Sequence, residues 1–192
     1  MLAEKLGKYH IILASKSPRR QYLLKEMGVD FEIRNNQVDE HYPEHLKREE
    51  IALYLSELKA ASFKNIRENE LLITSDTIVW IHDHILHKPK DYKEAVKMLN
   101  LLSGNMHEVV SGVSLKTKEQ SRSFHSVTKV YFKKLLPEEI RYYLENFKPY
   151  DKAGSYGIQE WIGYIGIEKI EGSYFNVMGL PVQRLYQELM NF

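Results

Sequence analysis

The stretch Tyr9-His10-Ile11-Ile12-Leu13-Ala14-Ser15-Lys16-Ser17-Pro18-Arg19-Arg20 decides how the chain is read. Its first half is an apolar run of strand length, and its second half opens a helix almost at once. Ser17 suits the N-cap, where its hydroxyl can accept from a first-turn N–H, and Pro18 suits the first helical position, where no N–H is needed. The helix is expected from Pro18 to about Met27, with Gly28 as its stop. A buried strand turning directly into a helix is the repeating unit of an α/β sheet.

Working outward, Asp30–Arg34 alternates as a second strand. The segment from about Arg48 to Lys64 places Ile51, Leu55, Leu58 and Ala61 at helical spacing, and Leu71–Thr74 reads as a central strand. Thr77–Ile81 and Ile85–Leu86 read as a hairpin turned at Asp83-His84, a tip carrying solvated histidines. Asp91 and Glu94 form a capping box for a helix ending near Leu102, with Tyr92, Ala95, Leu99 and Leu102 on its inner face and Gly104 behind it. Two strands follow, near Glu108–Leu115 and Phe124–Leu135. Pro137 opens a helix facing inward through Ile140, Leu144 and Phe147, and Pro181 opens the last one through Val182, Leu185 and Leu189. Strands mixed with helices in this order imply an α/β or α+β sheet protein, with one compact domain over residues 1–192 as the default.

The helix start at Pro18 breaks a local rule. Arg19 and Arg20 put two cations in a first turn, where the helix dipole disfavours positive charge by about 0.3–1 kcal/mol each. An anion would compensate them: backbone N–H groups, the Ser15 and Ser17 hydroxyls and two guanidinium forks describe a phosphate cradle. The same residues also read as two solvated arginines on an ordinary capped helix. Neither G-x-x-x-x-G-K-[ST] nor G-x-G-x-x-G occurs, which argues against P-loop and dinucleotide-binding readings.

A second signal is Leu71-Leu72-Ile73-Thr74-Ser75-Asp76-Thr77. An acid just past a buried strand stands at the sheet's carboxyl edge, where open α/β sheets place ligands. Asp76 could there hold Mg²⁺ or take a proton from water, although alone it also reads as a turn residue joining two strands. Lys59, Lys88 and the pair Asp39-Glu40 are charged candidates for the same place, and spacing does not show that they converge.

The 192 residues carry 27 Lys plus Arg against 26 Asp plus Glu and no cysteine. The near balance speaks against generic nucleic-acid binding, and the missing thiols exclude disulfides, Cys-ligated zinc and thiol nucleophiles. Neither a secretory signal nor an apolar run of roughly 18 residues is found, so a cytoplasmic protein without membrane contact is expected. A homodimer stays open as the commonest soluble assembly, with no residue pattern pointing to it.

Taken together, Ile12-Leu13-Ala14-Ser15, Ser17-Pro18-Arg19-Arg20, Val38-Asp39-Glu40, Lys59-Ala60, Ser75-Asp76-Thr77, Lys88-Pro89 and Leu102-Ser103-Gly104 resemble the Maf family of nucleoside triphosphate pyrophosphatases. Asp151-Lys152-Ala153-Gly154, Tyr156-Gly157-Ile158-Gln159 and Asn176-Val177-Met178-Gly179-Leu180-Pro181 continue the resemblance over nearly the whole chain. It implies an α/β fold, a mixed twisted sheet with flanking helices and a nucleotide-binding cleft, together with a divalent cation, Mg²⁺ or Mn²⁺, and cleavage between the α and β phosphates to a monophosphate and pyrophosphate. The family's proton acceptor falls on Asp76, its base-discriminating positions on Arg19, Thr77 and Gln159, and its charged pocket residues on Glu40, Lys59 and Lys88. Phosphate contacts are expected from Ser15, Ser17, Arg19, Lys59 and Lys88, and metal contacts from Glu40 and Asp76. Arg19, Thr77 and Gln159 resemble the branch acting on dTTP and UTP, whereas the 7-methyl-GTP branch carries Trp, Gln and Glu at these places. Two residues depart from the pattern: Ser75 stands where Ala is common, and Glu160-Trp161 follows Gln159 where Gly is usual. A nucleotide-sensing regulator of cell division without turnover is the alternative from another class.

Overall fold

The computed structural model describes residues 2–192. It contains seven strands: β1 (His10–Leu13), β2 (Glu32–Ile33), β3 (Glu70–Ile81), β4 (His84–Leu86), β5 (Met106–Lys116), β6 (Ser121–Phe132) and β7 (Ile167–Glu171). They form one sheet in the order β2-β1-β3-β5-β6-β7, with β4 paired to β3. The sheet is mixed, because β1 pairs parallel with β2 and β3, whereas β3–β4 and β6–β7 are antiparallel. The helices are α1 (Leu2–Leu6), α2 (Pro18–Glu26), α3 (Glu49–Ala61), α4 (Tyr92–Leu102), α5 (Pro137–Phe147), α6 (Trp161–Gly166), α7 (Tyr174–Met178) and α8 (Val182–Met190), with a short 3₁₀ turn at Ala153–Ser155. The expected α/β class is therefore observed. No helix among the described residues is long and apolar enough to cross a membrane.

The chain divides into two compact units, Met1–Thr77 with Ser111–Ser126 and Gly179–Phe192, and Ile78–Val110 with Val127–Met178. In the first, Ile12 of β1 and Leu72 of β3 pack with Ala60 and Phe63, the latter just past α3. Helix α3 lies so close to β5 that a Cβ on Gly112 would stand 2.1 Å from the Ala52 carbonyl oxygen. Its buried face is Ile51, Ala52, Leu55, Ser56 and Ala60. The expected inner positions Leu58 and Ala61 are half-buried and exposed respectively, because the helix turns small residues toward the sheet.

The second unit is built on Val79, Leu99, Val130, Tyr143, Ile158 and Ile162, all buried in one cluster. Asp91 caps α4 by accepting from the Glu94 N–H at 2.8 Å. The Glu94 carboxylate reaches back to the Lys90 N–H, so the box closes one residue earlier than the sequence suggests. Tyr92 and Phe147, expected inside, are exposed at one end of α4 and of α5; Met98 and Tyr143 take the inward places. The hairpin turns at His82-Asp83, both with positive φ, which is the left-handed pair that a two-residue type I′ turn requires.

Buried His107 places Nε2 2.7 Å from the Tyr156 hydroxyl, while its Nδ1 has no partner. Burial pushes its pKa down to about 3. The unfolded chain then binds a proton near pH 6.5 that the native chain refuses, so stability falls as pH drops from about 6.5 toward 3. Between pH 7 and 5 the protein should lose about 2 kcal/mol more than a His107→Gln variant, read from urea titrations at both pH values. Gly112→Ala should cost more than about 3 kcal/mol by driving a methyl into backbone. Gly28→Ala, with open space around it and only a positive φ to strain, should cost about 1–2 kcal/mol by the same measurement.

Candidate functional site

The turn between β1 and α2 is closed by its own hydroxyls. Ser15 Oγ accepts from the Ser17 N–H at 3.2 Å, and Ser17 Oγ caps the helix by accepting from the Arg20 N–H at 3.5 Å. A hydroxyl that accepts still keeps its proton, so both serines retain a donor for an anion. Ser15 is buried, and Ser17 and Arg19 are half-buried.

Arg20 behaves differently from the expectation of a second phosphate fork. Its Nε donates to the Gly179 carbonyl at 2.8 Å, its Nη1 to the Ser75 carbonyl at 2.8 Å, and its Nη2 to Thr77 Oγ1 at 3.0 Å. The guanidinium is spent inside the protein, tying the first turn of α2 to β3 and to the segment before α8. Burial pushes its pKa down; the charge of Asp76 opposes that shift, Arg19 adds to it, and Glu40 opposes it again. An arginine stays cationic under such a shift, so this is a fixed internal cation.

Asp76 does not lie past a strand end, as the sequence suggests. β3 runs unbroken from Glu70 to Ile81 and Asp76 sits inside it, 9% exposed. The polar run continues as strand because each side chain but one finds a partner: Thr74 Oγ1 donates to the Ser56 carbonyl at 2.7 Å, and Thr77 Oγ1 meets Ser111 Oγ at 2.8 Å. Asp76 Oδ1 accepts from Lys59 Nζ at 2.6 Å, and the same nitrogen is 3.0 Å from Glu40 Oε1. The exception is Ser75, whose buried hydroxyl has no partner.

The expected site residues Ser15, Ser17, Arg19, Glu40, Lys59, Asp76 and Thr77 all belong to the first unit, and Lys59 joins Glu40 to Asp76. Asp39 turns instead to exposed His41 at 3.1 Å. Lys88 and Gln159 belong to the second unit, Lys88 exposed after β4 and Gln159 half-buried with an unpartnered Oε1. Four residues were not anticipated: Arg20 as an internal cation, Ser111, Gly179 and Tyr42. Burial, and then the charge of Asp76, raise the Tyr42 pKa. The Gly179 φ of +118 was legible only as a glycine before Leu180-Pro181.

No group of three or more His, Cys, Asp or Glu side chains that could hold a metal occurs among the described residues. Glu40 and Asp76 are nonetheless the hard oxygen donors that Mg²⁺ or Mn²⁺ prefers, and they meet at one lysine. The donor chemistry therefore fits, with the two carboxylates as the protein's contribution.

The Maf-like protein family matches residues 10–192. The chain belongs to this family. A Maf-like relative called dTTP/UTP pyrophosphatase in Parabacteroides distasonis is 52% identical over 193 residues, covering 100% of both chains. Relatives of the same description in Flavobacterium johnsoniae and Phocaeicola vulgatus are each 54% identical over 190 residues, covering 98% of both chains. A solved structure of a HAM1 protein from Coxiella burnetii aligns at TM-score 0.49 and 13% identity, covering 96% of this chain and 100% of that one.

The residues expected to depart from the family pattern, Ser75 and Glu160-Trp161, take on a physical meaning. Glu160 is paired with Lys152 at 2.9 Å and accepts from the Tyr143 hydroxyl, so its charge is neutralised inside the second unit. Trp161 opens α6 with its ring against Tyr142. Ser75 carries a buried hydroxyl that nothing satisfies. Ser75→Ala should therefore raise stability by about 1 kcal/mol in urea denaturation. A loss of stability would mean that the hydroxyl has a partner.

Proposed function

We propose that the protein is a nucleoside triphosphate pyrophosphatase acting on dTTP and UTP, releasing the monophosphate and pyrophosphate. The observation that carries the reading is the Glu40–Lys59–Asp76 arrangement, an acid fixed within a strand by a lysine that a second carboxylate shares. Relatives at 51–54% identity that bear this activity in their names support the substrate. The match over residues 10–192 supports treating the chain as one functional domain.

In this reading Asp76 accepts the proton of the water that attacks phosphorus, a role that asks for a carboxylate within hydrogen-bond reach of that water. Lys59 holds the carboxylate in place. Phosphoryl chemistry asks the protein mainly for position and charge. Ser15, Ser17, Arg19, Lys59 and Lys88 bind the phosphate chain, hydroxyls donating and cations neutralising. Glu40 and Asp76 would hold Mg²⁺ or Mn²⁺, which when bound screens the charge of the triphosphate. Arg19, Thr77 and Gln159 select the base, and this set favours pyrimidines over 7-methyl-GTP. The proposal extends to a cytoplasmic location and a small-molecule partner; the balance of 27 basic against 26 acidic residues supports the absence of a nucleic-acid partner. A homodimer remains the assembly to compare against.

A nucleotide panel with Mg²⁺ or Mn²⁺, scored for pyrophosphate and orthophosphate, tests the reading. Pyrophosphate should appear fastest from dTTP and UTP, chelation by EDTA should stop it, and Asp76→Asn should slow it by about 10²-fold or more. Orthophosphate as the sole product would overturn cleavage between α and β. Association with nucleotide but no turnover, indifferent to Asp76→Asn, would favour a sensor.

A further inference from the structure

Residues 74–77 lie in an unbroken strand, so their side chains alternate between the two faces of the sheet. Thr74 and Asp76 point to α3, one bonding the Ser56 carbonyl and the other Lys59. The neighbouring strand agrees: Gly112 lies against Ala52 of α3, and Ser114 Oγ is 2.9 Å from Ser56 Oγ. Thr77 and Ser111 are on the opposite face, joined to one another at 2.8 Å. Asp76 and Thr77 are adjacent in sequence but present their side chains to opposite faces.

The hydroxyl of Thr77 is also fully used. Arg20 Nη2 can only donate, and it fills one lone pair at 3.0 Å. The Gly179 carbonyl can only accept, so the contact at 3.3 Å takes the Thr77 proton. Ser111 must then donate to the second lone pair. This is the one proton placement that makes all three contacts hydrogen bonds, and it leaves Thr77 Oγ1 neither donor nor acceptor for a ligand. What the hydroxyl does hold is Arg20, the residue next to Arg19 in the first turn of α2 and anchored to the same Gly179 carbonyl.

We propose that Thr77 governs base selection indirectly, and that Ser111 and Arg20 are specificity-positioning residues acting with it. The Ser111–Thr77–Arg20–Gly179 network orients the first turn of α2, which carries Arg19 and follows directly on Ser15 and the cap Ser17. This inference rests on the pyrimidine-nucleotide reading above and concerns how that preference is set. It assigns a role to Ser111, which neither motif nor charge singled out.

The test is selectivity, read twice in Thr77→Val, Ser111→Ala, Thr77→Ser and the Thr77→Val/Ser111→Ala double variant. The first reading is the ratio of kcat/KM for dTTP over dGTP. The second is the ratio of Kd values, dGTP over dTTP, in an Asp76→Asn background, where turnover does not interfere. Ser111→Ala only removes an atom and Thr77→Val keeps the side-chain shape, so both should fold; thermal melts check this. Each should lower both ratios by roughly tenfold, the scale of one lost hydrogen bond, and the double variant should lose no more than the worse single. Thr77→Ser, which keeps the hydroxyl, should retain the wild-type ratio. A simple structural weakening would lower the melting temperature without moving the Kd ratio, and would refute the proposal. So would a Ser111→Ala protein with wild-type selectivity beside a Thr77→Val protein without it, because the hydroxyl would then read the base itself. A protein that releases no pyrophosphate but whose Kd ratio shifts as stated would fail the enzymatic reading and keep this one.

Discussion

The three hydrogen bonds of Arg20 are the constraint on which the first unit depends. A half-buried cation is costly to keep without partners, and here the partners are two backbone carbonyls and a hydroxyl with no carboxylate among them. Carbonyls cannot turn away from their own backbone. The cation therefore fixes the chain path at Ser75 and Gly179 as much as it fixes itself. Two carboxylates at longer range, Asp76 and Glu40, supply field without contact. The near-zero net charge of the chain thus conceals a local order: one arginine locked to backbone, one lysine locked between two acids.

The second organising fact is the alternation of β3. A strand offers two faces to the groups around it, and this one assigns them different work. The face toward α3 carries the acid and its lysine. The other carries a closed hydroxyl network. Because both faces belong to the same backbone, a shift of register by one residue would exchange acid and threonine and destroy both arrangements together.

Much of this was legible from residue types. The strand, turn and helix from Tyr9 to Gly28 follow from an apolar run, a serine cap, a proline and a glycine, each acting locally, and the structure reproduces them. What stayed hidden was non-local. Thr74-Ser75-Asp76-Thr77 looks like the end of a strand because polar groups there would cost too much buried alone. Their partners come from residues 17 to 102 positions away, and no window of sequence shows them. The pair Arg19-Arg20 carried the same ambiguity. Adjacent helical residues differ by about 100° in direction, so one arginine turns toward β3, and its identical neighbour gives no clue to which. The inner face of α3 was misjudged for a related reason: Ser56 and Ala60, not Leu58, face the sheet, where the closeness of Gly112 leaves room only for small groups.

That closeness has a consequence for the acid itself. At Gly112 and Ala52 strand and helix meet backbone to backbone, with no side chain as a cushion. Lys59 stands two turns farther along the same helix, so its reach to Asp76 is measured from a hard mechanical stop. The spacing of helix and strand from which that reach begins is in this sense main-chain carpentry, set where a glycine lets two backbones touch.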